Sequence, residues 1–104
     1  MAFSIQAETA YWIDVRTASE HSSGHIEGSM NIPHGDIAEQ IATVTKDKDA
    51  EIHLYCRSGG RAGKALKALT DLGYTNVTNE GGYSALKMKQ EQEQEQESKA
   101  SMAR

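Results

Sequence analysis

Residues 55–62 read YCRSGGRA and contain the only cysteine of the 104-residue chain. Cys56 ends an apolar run that includes Ile52 and Leu54, and such a run is typical of a buried β-strand. The glycine pair that follows leads into apolar residues at the spacing of one helix face, namely Ala62, Ala65, Leu66, Leu69 and Leu72. The stretch therefore predicts a strand that ends at Cys56, a tight turn, and a helix that begins near Gly60.

This strand–turn–helix arrangement predicts a reactive thiol. Gly59 and Gly60 allow backbone conformations in which successive amide N–H groups point at one spot. The start of the helix adds partial positive charge there, and Arg57 and Arg61 add whole charges. Together these groups should lower the pKa of Cys56, make the sulfur a nucleophile and bind a small anion beside it.

The rest of the chain alternates β-favouring runs with helical patterns. The runs cover residues 11–15, 30–32, 52–56 and 74–78, and the helical patterns begin after residue 17 or 19, at 36, near 60 and near 83. Residues 79–82 are expected to connect the last strand to the last helix. We therefore predict an α/β fold with a mostly parallel sheet of five strands or fewer and helices on both faces.

The C-terminal stretch QEQEQEQESKASMAR, residues 90–104, is acidic, low in complexity and almost without apolar side chains. We predict that residues 1–89 form one domain and that residues 90–104 form a tail, either a frayed helical extension or disordered.

Charge and composition limit the classes of partner. The net charge of −4 argues against nucleic acid, whereas the local cluster of Arg57, Arg61, Lys64 and Lys67 favours a small anion. One cysteine excludes an internal disulfide, and no stretch has the length of a membrane span. The first residues lack signal-peptide features. We expect a monomer that is cytoplasmic, or periplasmic if a signal was removed before residue 1.

Four segments together resemble the rhodanese sulfurtransferases, and the likeness covers residues 11–86. CRSGGRA is similar to the active-site loop of that family, and YWIDVR (11–16) matches its hydrophobic-Asp-x-Arg strand end. GHIEGSMNIP (24–33) matches its Gly-His-Ile-x-Gly-x-x-Asn-Ile-Pro segment, and LGYTNV followed by EGGY matches its last strand and glycine pair. The length and the IDVR start resemble bacterial single-domain rhodaneses of the phage-shock-protein E type. The chain departs from the family pattern at Ser29-Met30, and Leu86 lies near the position of a common tryptophan.

The resemblance implies a rhodanese-like fold and a thiosulfate sulfurtransferase that needs no metal or cofactor. Cys56 would accept the sulfane sulfur of thiosulfate as a persulfide and pass it to cyanide or to a thiol such as glutathione or thioredoxin. The substrate-binding loop would consist of Arg57, Ser58, Gly59, Gly60 and Arg61, with the two arginines neutralising the sulfonate.

Three alternatives stay open at this stage. A phosphatase or arsenate reductase of the related fold would use a Cys-x5-Arg loop, but the spacing from Cys56 to Arg61 is Cys-x4-Arg, which makes a tighter cradle. Asp14 could be mistaken for the general acid of such an enzyme, and we expect it to be structural. A non-catalytic module could bind a partner or sense oxidants through the thiol. Finally, the cysteine could be only a buried core residue.

The histidines are not predicted to bind metal. His21 and His25 have a metal-like spacing, but Gly24 between them makes a rigid helical face doubtful, and no third ligand is evident. His53 is close to the cysteine in sequence, but strand alternation places it on the opposite face from Leu54.

Overall fold

Four short strands, all parallel, form the sheet. The computed structural model describes residues 10–102, with side chains described for residues 10–92. The strands are β1 (Ala10–Asp14), β2 (Met30–Asn31), β3 (Glu51–Cys56) and β4 (Val77–Gly82). Their order across the sheet is β2-β1-β3-β4, and each neighbouring pair is parallel. The predicted α/β class, with a parallel sheet of five strands or fewer, is confirmed.

Each strand is followed by a helix, which is why neighbouring strands can be parallel. The helices are α1 (Ala18–Ser23), α2 (Ile37–Val44), α3 (Gly60–Asp71) and α4 (Tyr83–Met102). No helix in this described part of the chain combines the length and the apolar character that crossing a bilayer requires.

The main core lies between one face of the sheet and helices α2 and α3. Side chains alternate along β3, so Ile52, Leu54 and Cys56 point to the same face, and none is more than 1% exposed. The other members of this buried cluster come from β1 and the residue after it, the 32–41 segment, α3 and the residue after its turn; they are Ile13, Val15, Ile32, Ile37, Ile41, Ala62, Ala65, Leu69 and Tyr74. The side chain of Cys56 therefore belongs to the core, and its backbone lies at the carboxyl end of β3.

The opposite face of the sheet is covered by α1 and α4. His21 of α1 contacts Asp14 at the end of β1, and the ring of Tyr83 at the start of α4 lies 6.3 Å from the ring of Tyr55. Tyr55 is fully buried, and its hydroxyl accepts a hydrogen bond from the Ile26 amide at 2.9 Å. Helices thus lie on both faces, as predicted.

The last strand lies later in the sequence than we predicted. The prediction placed it at residues 74–78, but the ladder with β3 begins at Val77 and continues to Gly82. Tyr74 is instead a core residue whose hydroxyl donates to the Thr45 carbonyl at 2.7 Å, and the Thr75 amide donates to the Lys48 carbonyl. Because these residues bond to the α2–β3 loop, the strand starts only after them, and the glycine pair of β4 is brought beside Cys56.

Candidate active site

Cys56 lies at the carboxyl end of β3, below the start of α3. Its side chain accepts hydrogen bonds from two backbone amides, that of Gly59 at 2.8 Å and that of Ala62 at 3.4 Å. The residue is only 1% exposed, so the sulfur is almost completely buried. Backbone N–H groups at a helix start lack partners within the helix, and here some of them are used by the sulfur.

The loop lowers the pKa of Cys56 despite burial. Burial alone would raise the pKa of the thiol, but hydrogen bonds from the amides of Ala62, Ser58, Gly59 and Arg61 outweigh it and bring the pKa below its ordinary value of 9.0. All four contributions favour the thiolate because an amide hydrogen is attracted to the charged sulfur more strongly than to the neutral thiol. The loop therefore favours the thiolate, which is the nucleophilic form of cysteine.

Two glycines of β4 form one wall of the loop. Gly59, the N-cap of α3, has φ of +99°, a conformation that favours glycine. Gly59 also faces β4: a Cβ added at Gly59 would lie 3.5 Å from the Cα of Gly81. Gly82 is closer still to the loop, since a Cβ there would lie 2.5 Å from the carbonyl oxygen of Arg57. Gly82 is thus required by the close approach of two backbones, whereas Gly81 is favoured by its φ of +90° and has open space where a Cβ would lie.

The two loop arginines occupy different environments. Arg61 forms a bidentate ion pair with Glu20 of α1, with Nη1–Oε1 at 2.8 Å and Nη2–Oε2 at 3.0 Å. Arg57 has an exposed side chain and takes part in none of the ion pairs found among residues 10–92. Arg57 is therefore the loop arginine whose charge is available to an incoming anion, whereas Arg61 already shares its charge with a carboxylate.

Glu20 is held in place by the start of α1. The Thr17 amide donates to Glu20 Oε1 at 3.0 Å, and the Glu20 amide donates to Thr17 Oγ1 at 3.2 Å, which is a capping box. The bond from Arg61, followed by the bond from Thr17, lowers the pKa of Glu20 to about 2. Glu20 was not predicted as a site residue, although the Thr-x-x-Glu spacing at 17–20 is the usual signal of a capping box.

Asp14 and Arg16 join α1 to the sheet. Asp14 is fully buried, and Arg16 donates to it through Nε at 2.8 Å and Nη2 at 2.6 Å. His21 Nδ1 lies 2.9 Å from the same carboxylate, and Arg16 Nη2 also donates to the Gly24 carbonyl. Burial raises the pKa of Asp14, but its bonds to Arg16 and His21 lower it overall. Asp14 thus has the structural contacts that we expected of it.

The hydrogen bonds of His21, His25 and His53 do not involve Cys56 or its loop. The rings of His21 and His25 stack with centroids 3.7 Å apart, and among the described residues no group of three or more His, Cys, Asp or Glu side chains could hold a metal ion. His53 stacks on Trp12 at 4.5 Å and contacts Glu51 and Glu80 through its two ring nitrogens. It therefore lies on the sheet face opposite Leu54.

A cleft of about 290 Å³ lies on that same face, between the sheet and α4. It does not include Cys56 or its loop. The lining residues are Trp12, Ile26, Glu27, Glu80, Leu86, Lys89 and Gln90.

Asn79 is a second residue that the sequence analysis did not single out. Its side chain reaches from β4 to the carbonyl of Gly59, 3.0 Å away. Its only signal in the sequence is a position just before the glycine pair, and an isolated Asn there is also typical of a turn.

Comparison with known proteins assigns the family. The model of the rhodanese-like domain matches residues 4–89. The chain belongs to the rhodanese-like family. This confirms the family predicted from the four segments, and it places the loop at Cys56 within a domain type that the fold and the sequence both indicate.

Individual relatives agree with this assignment. The chain is 37% identical over 89 residues to the thiosulfate sulfurtransferase PspE of Escherichia coli, covering 85% of this chain and 86% of that protein. It is 34% identical to the thiosulfate:glutathione sulfurtransferase of Saccharomyces cerevisiae, covering 64% of this chain and 55% of that protein. A solved E. coli rhodanese with anions superposes with a TM-score of 0.71 at 38% identity, covering 73% of this chain and 89% of that one. The prediction of a rhodanese-type sulfurtransferase is confirmed at the level of the family.

Proposed function

We propose that the protein transfers the sulfane sulfur of thiosulfate through a persulfide on Cys56. The observation that carries this proposal is the sulfur of Cys56 at the centre of a loop whose amides, those of Gly59 and Ala62, already donate to it. A persulfide extends from the same sulfur and ends in a second, charged sulfur, which needs hydrogen-bond donors in the same place.

The first half-reaction loads the enzyme. The Cys56 thiolate attacks the outer sulfur of thiosulfate, an S–S bond forms to Sγ, and the bond from the outer sulfur to the sulfonate breaks. The electron pair of that bond leaves with sulfite. The exposed side chain of Arg57 would neutralise the sulfonate of thiosulfate as it binds and the sulfite as it departs.

The second half-reaction unloads the enzyme. Cyanide, or the thiolate of an acceptor such as glutathione or thioredoxin, attacks the outer sulfur of the persulfide. The S–S bond breaks, its electrons return to Sγ, and the Cys56 thiolate is restored. The lowered pKa of Cys56 assists this step as well, because a more stable thiolate is a better leaving group.

The remaining loop residues would hold the charged sulfur rather than react. Gly59 and Gly60 supply the backbone shape, Ser58 supplies an amide, and Arg61 keeps the first turn of α3 attached to α1 through Glu20. No metal, cofactor or second cysteine enters any step, and we propose that the protein works as a monomer.

Asp14 is not available as the general acid of the phosphatase alternative. Asp14 is fully buried and engaged by Arg16 and His21, on the sheet face opposite the core cluster that contains Cys56. General acid catalysis requires a carboxylic acid within reach of the leaving group, and Asp14 is not placed to give one.

The test is intact-mass spectrometry of the reduced protein after incubation with excess thiosulfate. We expect a mass increase of one sulfur atom, its removal by cyanide, and thiocyanate in solution. An unchanged mass in protein shown to be reduced would refute the proposal and favour the non-catalytic module.

The matched variant is Cys56→Ser. Serine is close in size, but its hydroxyl is not ionised at neutral pH, so we expect no added sulfur and no turnover while the melting temperature stays near that of the wild type. Turnover within about tenfold of the wild type would show that another residue is the nucleophile.

A further inference from the structure

The side chain of Asn79 links the last strand to the loop that holds Cys56. Its Nδ2 donates to the carbonyl oxygen of Gly59 at 3.0 Å, and its Oδ1 accepts from the amide of Gly81 at 2.9 Å. A carbonyl can only accept and an amide N–H can only donate, so this bridge needs one side chain with both functions. An amide side chain has a donor and an acceptor at fixed positions, which suits the two contacts.

Gly59 is a loop residue whose conformation needs an external constraint. It has φ of +99°, and its amide makes the shortest hydrogen bond to the Cys56 sulfur, at 2.8 Å. Glycine has more accessible backbone conformations than any other residue, so its own φ and ψ are weakly restricted. Its carbonyl accepts from the Gly63 amide, which is the first bond of α3, and from Asn79, which is the only side chain among the described residues that holds it.

The direction of the Gly59 carbonyl also sets the direction of the next amide. In a trans peptide the C=O and the following N–H point in opposite directions, and the chain contains no cis peptide bond among the described residues. The Gly59 carbonyl points along α3, toward Gly63, so the N–H of Gly60 points back toward the start of the helix. The Gly60 amide is not one of the donors to Cys56, which are the amides of Ser58, Gly59, Arg61 and Ala62, so the carbonyl restrains the sulfur site through Gly59 itself and through the first bond of α3.

The packing shows that Asn79 lies against this turn. A Cβ built on Gly63 would be 3.7 Å from Asn79 Nδ2, and one built on Gly59 would be 3.9 Å from Oδ1. The two glycines are four residues apart, on one face of the helix start. Although Asn79 is exposed to solvent on its outer side, its amide lies across the first turn of α3.

We propose that Asn79 is a positioning residue for the sulfur site, acting through Gly59 on the amides that face Cys56. The proposal deepens the proposed sulfurtransferase function and rests on it for its role in turnover. Asn79 does not touch the sulfur; its effect reaches the sulfur through Gly59, whose carbonyl it holds and whose amide donates to Sγ at 2.8 Å.

The test uses the reactivity of Cys56, which is the only cysteine and can therefore be alkylated selectively. The rate of alkylation by iodoacetamide is measured against pH for the wild type and for Asn79→Ala. We expect the variant to have a higher thiol pKa and, below that pKa, an alkylation rate lower by between about twofold and tenfold, the range for one ordinary hydrogen bond. The thiosulfate–cyanide rate should fall by a similar factor.

Asn76→Ala is the matched control. Asn76 is the same residue type just before β4, and its side chain makes one long bond, at 3.4 Å, to the Asp49 carbonyl, far along the strand from the loop. We expect its alkylation profile to coincide with that of the wild type. Should Asn79→Ala fail to fold, Asn79→Thr decides in its place, because threonine suits a strand and is too short to reach both backbone groups.

The readouts separate this proposal from a structural role and from the function itself. A lower melting temperature with an unchanged alkylation profile would overturn the proposal, since stability alone would then explain Asn79. A shifted profile in the variant, with no sulfur transfer even by the wild type, would support the positioning role and refute the proposed function.

Discussion

Replacement of Gly82 by alanine tests whether the loop depends on the close approach of β4. A Cβ at this position would lie 2.5 Å from the Arg57 carbonyl oxygen, 3.3 Å from the Arg57 carbonyl carbon and 3.4 Å from Ser58 Cα. All three atoms are backbone, so no side chain can rotate away. Gly82 does not have a positive φ, which means that the substitution tests the contact alone and not backbone conformation.

The size of the effect follows from these distances. To reach a tolerable separation of 3.0–3.4 Å, the strand and the loop must move apart by roughly 0.5–0.9 Å. Overpacking of this kind costs about 1–3 kcal/mol in unfolding free energy. In a domain of this size, each kcal/mol lowers the melting temperature by about 4–8 °C. Since Arg57 and Ser58 directly follow Cys56, displacement of nearly 1 Å should also reduce turnover by about a hundredfold.

The assay is the thiosulfate–cyanide rate together with the melting temperature, each measured for Gly82→Ala and for Gly35→Ala. Gly35 lies in the loop before α2, has no positive φ, and a Cβ there would meet nothing within 4 Å. We therefore expect the control to match the wild type in both measurements. If Gly82→Ala keeps the wild-type rate and stability, the loop does not depend on this contact and the reasoning is refuted.

Three further predictions concern charges and the tail. Glu20→Gln should lower turnover several-fold and the melting temperature by a few degrees. Arg61 loses its ionic partner, while the hydrogen bond from the Thr17 amide can remain. An unchanged rate would show that Arg61 does not need this ion pair. Burial would lower the pKa of His53, but its bonds to Glu51 and Glu80 raise it above 6.5. The stability that His53 contributes is therefore present at low pH and is lost as the pH rises through the raised pKa. His53→Gln should lower the melting temperature more at pH 5.5 than at pH 8.5, and an equal loss at both would contradict this. Removal of residues 90–104 should leave turnover and melting temperature nearly unchanged, and a loss of several degrees would show that the tail packs on the domain or joins subunits.

The strand–turn–helix around Cys56 could be predicted because its signals are local. An apolar run, a glycine pair and a helical stripe each act over a few residues, and the structure has β3 ending at Cys56 and α3 beginning at Gly60 as expected. The cap at Thr17 and the turn at Gly73, with φ of +99°, were predictable for the same reason.

The last strand and the residues that support the loop were harder to predict, because both depend on contacts between residues far apart in the sequence. Tyr74 has a high β propensity, but its hydroxyl bonds to Thr45 and its ring joins the core, which delays the strand to Val77. The pairing of Arg61 with Glu20 joins residues 41 positions apart. A sequence pattern shows which residues are charged, but it does not show which of two arginines receives a carboxylate partner.

The length of the loop connects these contacts to the proposed substrate. Gly59 and Ala62 are three residues apart, and both of their amides lie within 3.4 Å of the same sulfur atom. Amides that converge at such short range fit a single sulfur, either Sγ of Cys56 or a sulfur bonded to Sγ. A Cys-x5-Arg loop has one residue more, so its amides would spread around a larger group such as a tetrahedral oxyanion. Asn79 and Glu20 bond to the short loop at Gly59 and Arg61, and the backbone of Gly82 packs closely against Arg57, so the contacts around the loop match its present length.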